Sequence, residues 1–310
     1  MKILVTGGAG YVGSVLVKKL LEKNIKVCVV DSLMYDNGHS ILPFFGTSKF
    51  KFIKGDVRDE GLMKGLVHNF DFVIHLAAIV GFPACRKNPH LAQTVNVDSS
   101  KLISSLMSKE QGTVYASTGS NYGIIENEIC TEETPLNPIS LYGKTKTEAE
   151  NIFLNENQAV AYRFATAFGL SPRMRLDLLI NDFVYQAINN KLLVMFEKTF
   201  KRTFIHVSDM ANAIIHAIDN YDSMKNNTYN VGGDSNNYSK EEIALMIKEK
   251  IDYYLHFAEV GEDEDKRNYE VSYKKINDAG FFINKTVEEG IKELVEASPA
   301  LDVRSAYKNV

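Results

Sequence analysis

The chain has no tryptophan, and only three cysteines and seven prolines among its 310 residues. Cys28, Cys85 and Cys130 are odd in number and far apart. That excludes a disulfide framework or a cysteine-built zinc site, and fits a reduced, cytoplasmic interior; no metal is expected. Long apolar runs are missing as well. None approaches the ~20 residues that a membrane span requires, and the opening MKILVTGG reads as a strand entering a glycine turn, not as a leader peptide. Neither sign of charge dominates: the formal net charge is −4 and the basic residues are scattered, so no nucleic-acid footprint is expected. Repeats, low-complexity segments and Pro/Gly/Ser linkers are also lacking. What is present is a globular composition, 45% hydrophobic and 24% charged, long enough for one large domain or two modest ones.

Short apolar runs alternate with amphipathic segments through the first half. KILVT (2–6), KVCVV (26–30), FKFI (50–53), DFVIHLA (71–77), TVYAS (113–117) and AVAYRFA (159–165) read as strands. Each is nearly continuous in apolar character, the pattern of a strand buried on both faces of a parallel sheet. Helical periodicity fills 11–23, 59–68, 89–109 and 140–156 between them. This alternation predicts an α/β fold, a Rossmann-type doubly wound parallel sheet. Beyond residue 165 the rhythm loosens. Helices are expected over 177–190, over 208–221 with an N-terminal cap, over 239–251 with a capping glutamate, and near 286–297. The division expected is 1–165 as a dinucleotide-binding domain, with segments near 201–222 returning to it, and 166–310 as a smaller α/β substrate lobe.

TGGAGYVGS (6–14) joins the first strand to the first helix. Gly8, Gly10 and Gly13 satisfy G-x-G-x-x-G, and Gly7, Gly10 and Gly13 satisfy the three-spaced variant. In either case missing side chains permit a tight turn, bring the backbone to a pyrophosphate and let the helix pack close to the sheet. Asp31 closes the second strand at the distance expected of the acid that binds adenosine ribose hydroxyls. A carboxylate there repels a 2′-phosphate, so NAD is expected over NADP. The plainer reading of Asp31 is a solvated strand-end cap.

In NPISLYGKTKTEAE (137–150), Tyr142 and Lys146 stand four residues apart just after a helix start. Residues at i and i+4 share a helical face. An alcohol oxidised by a nicotinamide must lose a proton to a base, and a free phenol, with a pKa near 10, is a poor one. A neighbouring ammonium stabilises the phenolate, so the spacing makes Tyr142 a candidate base tuned by Lys146. ASTGSNYG (116–123) follows the fifth strand, where an open α/β sheet presents its ligand end, and offers Ser117, Thr118 and Ser120 as hydroxyl donors.

Taken in order, TGGAGYVGS, VVDSL, GDVRD, HLAA, TVNVDSS, ASTGSNYG, YGKTK, RFATAFGLSPR, KRTFIHVSDMANA and YNVGG resemble the extended short-chain dehydrogenase/reductase family, in its nucleotide-sugar epimerase and dehydratase branch. The resemblance implies that Thr118 completes a catalytic set with Tyr142 and Lys146. It implies cofactor contacts from Gly7, Gly10, Tyr11, Val12 and Gly13, from Asp31 and Ser32, from Asp56 and Val57, and from Leu76, Ala77 and Ala78, with Asn96 as the family's central asparagine. Asn181, Arg202 and Arg267 match positions that hold the diphosphate of a nucleotide sugar, although the usual Arg-Pro-Gly-Asp context of the last is replaced by DEDKRNYE. A homodimer is implied through helices 89–109 and 140–156, with Leu102, Ile103, Leu106, Ile152 and Phe153 at the seam.

Departures from the family pattern narrow the chemistry. Relatives that dehydrate carry Asp-Glu directly after the catalytic threonine, and those that decarboxylate carry a glutamate there; this chain has Gly119 and Ser120. Thr166 and Phe168 replace a common Asn and Tyr. The expected activity is NAD-dependent oxidation at C4 of a nucleotide-activated sugar, as a 4-epimerase or a 4-dehydrogenase. Around SPRMRLDLLINDFVYQAI (171–188) the likeness extends to enzymes of bacterial surface-polysaccharide pathways, with GDP-manno-heptose a candidate substrate. A catalytically silent dinucleotide sensor on the same fold is the alternative, and an RNA-binding relative is disfavoured by the negative charge.

Overall fold

A computed structural model of the chain describes residues 1–125, 129–258, 270–301 and 309. In chain order, the principal strands are β1 (Lys2–Thr6), β2 (Lys26–Asp31), β3 (Phe50–Lys54), β4 (Phe72–His75), β5 (Gly112–Thr118), β6 (Val160–Phe164), β7 (Thr166–Phe168), β8 (Lys201–His206), β9 (Asn227–Val231) and β10 (Asn237–Ser239). Seven of them form one sheet in the order β9-β6-β5-β4-β1-β2-β3, and every pair in it is parallel. Such a sheet needs helices on both faces. These include α1 (Tyr11–Glu22), α2 (Glu60–Leu66), α3 (Ser99–Leu106), α4 (Leu141–Glu156), α5 (Leu179–Asn189), α6 (Val207–Asp219), α7 (Lys240–Lys248) and α8 (Val287–Ala297).

Side chains of β1 show how both faces are filled. Ile3 and Val5 join a core with Leu16, Val17 and Leu20 of α1 and with Met210 and Ile214 of α6. Leu4 points the other way, into a core with Met63 of α2, Ile103 of α3 and Phe153 of α4. A third apolar cluster, built from α5, α7 and α8 around Ile180, Ile243 and Ile291, fills the C-terminal lobe. Helices α7 and α8 both start with capping boxes, Ser239 with Glu242 and Thr286 with Glu289, so each satisfies two of its orphan amides locally.

Several expectations are corrected. The third strand is not buried on both faces: β3 is the sheet edge, with Lys51 and Lys54 exposed and Phe50, Phe52 and Ile53 half-buried. The single helix expected over 89–109 is broken. A short α-turn at Pro89–Gln93 and a π-turn at Thr94–Asp98 precede α3, which stops at Leu106; π-turns let one side chain leave the regular helical face. Helix α6 starts at Val207, and its cap is the His206 ring, whose Nδ1 accepts from the Ser208 amide at 3.2 Å. The run 159–165 also continues further than one strand. After Ala165, whose amide donates to Val231 O at 2.9 Å, the chain leaves the main sheet as β7 and pairs with β8, which pairs with β10. Sheet order reverses between β1 and β4, the switch point at which such folds bind ligands beyond the strand C-termini.

The turn after β1 allows no side chain at two positions. Gly7 has φ +69°, and a Cβ on it would lie 2.7 Å from the Ala77 amide; a Cβ on Gly13 would lie 2.4 Å from Gly7 O. Gly65, exposed in α2, has nothing within 4 Å of a built Cβ. Gly13→Ala should therefore destabilise the fold by about 1–3 kcal/mol or more, whereas Gly65→Ala should stabilise it by roughly 0.5–1 kcal/mol. Urea unfolding of both variants checks this; equal effects would refute the close approach at Gly13.

Candidate active site

A cleft of about 440 Å³ lies along the C-terminal ends of the sheet strands. At one end Asp31 leaves β2. Its carboxylate accepts from the Ala9 amide at 3.0 Å and the Leu33 amide at 2.9 Å, which fixes it beside the glycine turn, while burial pushes its carboxyl above the ordinary range. Ser32 lines the cleft next to it. Gly10 caps α1 without a side-chain hydrogen bond, so the first turn of that helix, including Tyr11, Val12 and Gly13, presents backbone to the cleft. Uncapped helix N-termini favour anions. Leu76, Ala77 and Ala78 form the wall after β4; the Ala77 amide donates to Thr6 Oγ1 at 3.3 Å. Asp56 and Val57 line the same end. Asp56 is held by Arg58 at 2.6 Å, which lowers its carboxyl below the usual carboxylate range.

The other end holds the candidate reactive groups. Thr118 is the last residue of β5 and its Oγ1 accepts from the Ser120 amide at 3.2 Å. Helix α4 begins at Leu141, capped by Ser140 Oγ, which accepts from the Gly143 amide at 3.0 Å. Gly143 lets this helix close on the turn after β5, since a Cβ there would come 3.0 Å from Ser120 O. That approach brings Tyr142 and Lys146 of α4 to the cleft beside Thr118. Lys146 is buried, its Nζ 4.2 Å from the Tyr115 ring centroid, and burial draws its ammonium down to about 7 against the opposing charge of Glu150. Beneath it, Glu150 is clamped by Arg163 at 2.6 Å, by Asn121 at 3.0 Å and by the Ser117 hydroxyl.

Not every expected residue reaches the cleft. Asn96 sits in the π-turn with its side chain spent on its neighbours. Its Oδ1 accepts from the Ile79 amide at 2.7 Å, and its Nδ2 donates to Ile79 O and to Thr145 Oγ1, both at 3.0 Å. It fixes the cleft wall from behind. Asn181 is likewise buried, bonded to the Gly169 amide at 2.9 Å, to Arg175 O at 2.9 Å and to the Tyr11 hydroxyl at 3.3 Å. Arg202 does line the cleft; Arg267 lies outside the described residues. The sequence reading passed over Tyr35, Arg173 and Arg175, which also line it. The PRMRLD run carried two closely spaced arginines as the signal for the last two.

Residues 3–232 match the NAD dependent epimerase/dehydratase family. The chain belongs to that family. It is 29% identical over 306 residues to a putative UDP-glucose 4-epimerase of Methanocaldococcus jannaschii, covering 94% of this chain and 97% of that one. To an uncharacterized UDP-glucose epimerase of Bacillus subtilis it is 32% identical over 251 residues, covering 75% and 77%. In structure it resembles a UDP-glucuronic acid 4-epimerase from Bacillus cereus, crystallised with UDP-glucuronic acid and NAD, with a TM-score of 0.87 at 24% identity over 97% of this chain and 99% of the other. A dTDP-glucose 4,6-dehydratase from Bacillus anthracis, in complex with NAD, gives 0.83 at 25% identity over 97% of each. NAD is the family's cofactor, and the residues present fit it. The backbone-only cradle at Gly7 and Gly13, the uncapped α1 terminus and the fixed Asp31 are placed for a pyrophosphate and a ribose. Among the described residues no helix is long and apolar enough to cross a membrane.

Lys146 carries a stability signature. In the unfolded chain a lysine keeps its proton to about pH 10.4; in the fold this one releases it near 7. Between those values the unfolded state binds more protons, so stability rises with pH across the window. Lys146→Met should remove that slope. Urea unfolding of both ligand-free proteins between about pH 7 and 10 reads it, and parallel curves would count against the buried ammonium.

Proposed function

We propose that the protein oxidises C4 of a nucleotide-diphosphate sugar, with Tyr142 as the base, and acts as a 4-epimerase or a 4-dehydrogenase. One observation carries this reading. Thr118, Tyr142 and Lys146 share the cleft, while the only carboxylates lining it among the described residues are Asp31 and Asp56. The first is bound to two backbone amides and the second to Arg58. Among the described residues, no carboxylate lining the cleft stands beside Thr118, where dehydration or decarboxylation would need one. NAD, when bound in this cleft, would supply the hydride acceptor for C4. The Tyr142 phenolate takes the hydroxyl proton, Thr118 Oγ1 donates to the same oxygen, and Lys146 tunes the phenol and holds the cofactor ribose. Asp31 favours NAD by repelling a 2′-phosphate.

The named relatives favour a UDP-sugar. GDP-manno-heptose, from surface-polysaccharide synthesis, is the other candidate, with Arg202 on the diphosphate. Incubation with UDP-, GDP-, CDP- and dTDP-sugars, heptoses included, followed by nicotinamide absorbance and NMR of the products, identifies the substrate and the fate of the hydride. Tyr142→Phe should lower turnover by about 10²–10⁴-fold with ligand affinities within a few-fold, and Thr118→Ala should slow the same step without weakening cofactor binding. Near wild-type turnover of Tyr142→Phe would assign the proton to another group, and absence of turnover with every sugar would favour the silent sensor.

The reading includes a homodimer paired through α3 and α4. Of the expected seam residues, Ile103 and Phe153 are buried in the subunit's own core, leaving half-buried Leu102, Leu106 and Ile152 beside the Lys101–Glu148 ion pair. Light scattering should give twice the chain mass; a monomer at micromolar concentration removes this part of the proposal.

A further inference from the structure

Arg173 is almost fully buried, yet it lines the cleft, and its Nε has no hydrogen-bond partner. Among the described residues no carboxylate lies within ion-pairing distance of it. Its neighbour Arg175 takes Asp177, at 2.5 Å. What Arg173 has instead is the Tyr35 ring, 5.1 Å from its guanidinium carbon, and one neutral hydrogen bond from Nη2 to Asn309 Oδ1 at 2.6 Å. A buried cation without a counter-ion is costly, and burial together with Arg175 draws its pKa down to about 10. A ligand anion would relieve that cost.

The backbone says where such an anion would lie. The segment before Arg173 is fastened to the first turn of α1: the Tyr11 hydroxyl donates to Gly169 O at 2.6 Å, Ser171 Oγ donates to Tyr11 O at 2.7 Å, and the Ser14 and Ser171 hydroxyls meet at 3.1 Å. Arg173 is thus anchored next to the uncapped helix terminus. Asp31 and Tyr35 are among the charged and titratable groups that act on it, and Tyr142 and Tyr11 among those that act on Arg175. The two arginines therefore extend from the adenosine-ribose end of the cleft towards its reactive end, the interval that a dinucleotide's pyrophosphate spans.

We infer that Arg173 is a second, cationic contact for the pyrophosphate of the dinucleotide, acting together with the α1 N-terminus. The inference rests on the dinucleotide reading of the cleft. It gives PRMRLD a ligand role and gives Asn181 an indirect one, since that side chain ties Tyr11, Gly169 and Arg175 into one unit.

Equilibrium binding of adenosine, ADP, NAD and UDP to the nucleotide-free full chain tests it. Arg173→Met should weaken ADP and NAD at least tenfold, leave adenosine within about twofold, and flatten the salt dependence of ADP binding, because a charge pair is screened by salt. Arg173→Lys, which keeps the charge and the fold, should fall between. Asp31→Ala should weaken adenosine, ADP and NAD alike. Unchanged ADP affinity in both Arg173 variants overturns the inference. So does an equal loss for adenosine, which would mean that Arg173 only positions Tyr35, or a loss confined to UDP, which would place it on the sugar nucleotide. A wild-type chain that binds neither ADP nor NAD would instead defeat the cofactor reading of the cleft.

Discussion

The buried ion pair between Glu150 and Arg163 ties together the elements on which the site depends. Glu150 belongs to α4 and Arg163 to β6; Ser117 of β5 and Asn121 of the following turn bond to the same carboxylate. Arg163 also donates to the Tyr122 hydroxyl at 3.1 Å, and that hydroxyl donates to Asn230 of β9 at 2.6 Å. Three adjacent strands and one helix are thereby pinned at the strand ends that open into the cleft. A pair of this kind gains little net stability over apolar packing, but loss of one partner strands a buried charge at about 3–5 kcal/mol. Its effect is to fix register. Thr118 follows Ser117 in the chain, and Lys146 precedes Glu150 by one helical turn, so holding Glu150 also sets the spacing between the hydroxyl of one element and the ammonium of another.

Burial then determines the state of Lys146. Its surroundings are Tyr115, Cys85 and the carboxylate one turn further on, and the apolar share prevails, leaving the ammonium with a pKa near neutrality. A lysine so placed is more readily charged when an acceptor or an anion comes close. On the proposed function, cofactor hydroxyls at this end of the cleft supply that acceptor, and occupancy of the cleft is coupled to the charge on Lys146.

Much of this could be read from the sequence wherever a local rule coincided with a global one. Continuous apolar runs marked six of the seven parallel strands, and the 3.6-residue period of α1 follows from Tyr11, Ser14, Leu16, Val17 and Leu20 on its inner face. The glycine turn and Asp31 were legible because a tight turn and a strand-end carboxylate each impose a residue type at a fixed spacing. The second sheet was not. Strands β7, β8 and β10 are short, and the bend at Ala165 that separates β7 from β6 leaves no mark in a hydrophobic run. Asn96 and Asn181 show a different limit. Asparagine at such positions signals a polar contact, but sequence cannot tell whether the partner is a ligand or the chain itself, and here it is the chain in both cases, backbone together with one side-chain hydroxyl. Arg173 shows the converse, a residue whose meaning comes only from what the fold fails to put beside it.

Charge distribution supplies the last step. The chain is acidic overall, at −4, yet its cleft wall includes Arg58, Lys146, Arg163, Arg173, Arg175 and Arg202 against two carboxylates. Three of these cations are answered inside the fold, Arg58 by Asp56, Arg163 by Glu150 and Arg175 by Asp177. Arg173 is answered by no carboxylate among the described residues, and Lys146 resolves the same difficulty by yielding its proton near neutrality. An acidic exterior repels bulk anions, whereas a low-dielectric cationic groove strengthens each contact with a ligand that enters it. That combination suits a site for phosphate-bearing ligands, the family's NAD among them; on the proposed function the diphosphate of a sugar nucleotide enters the same groove.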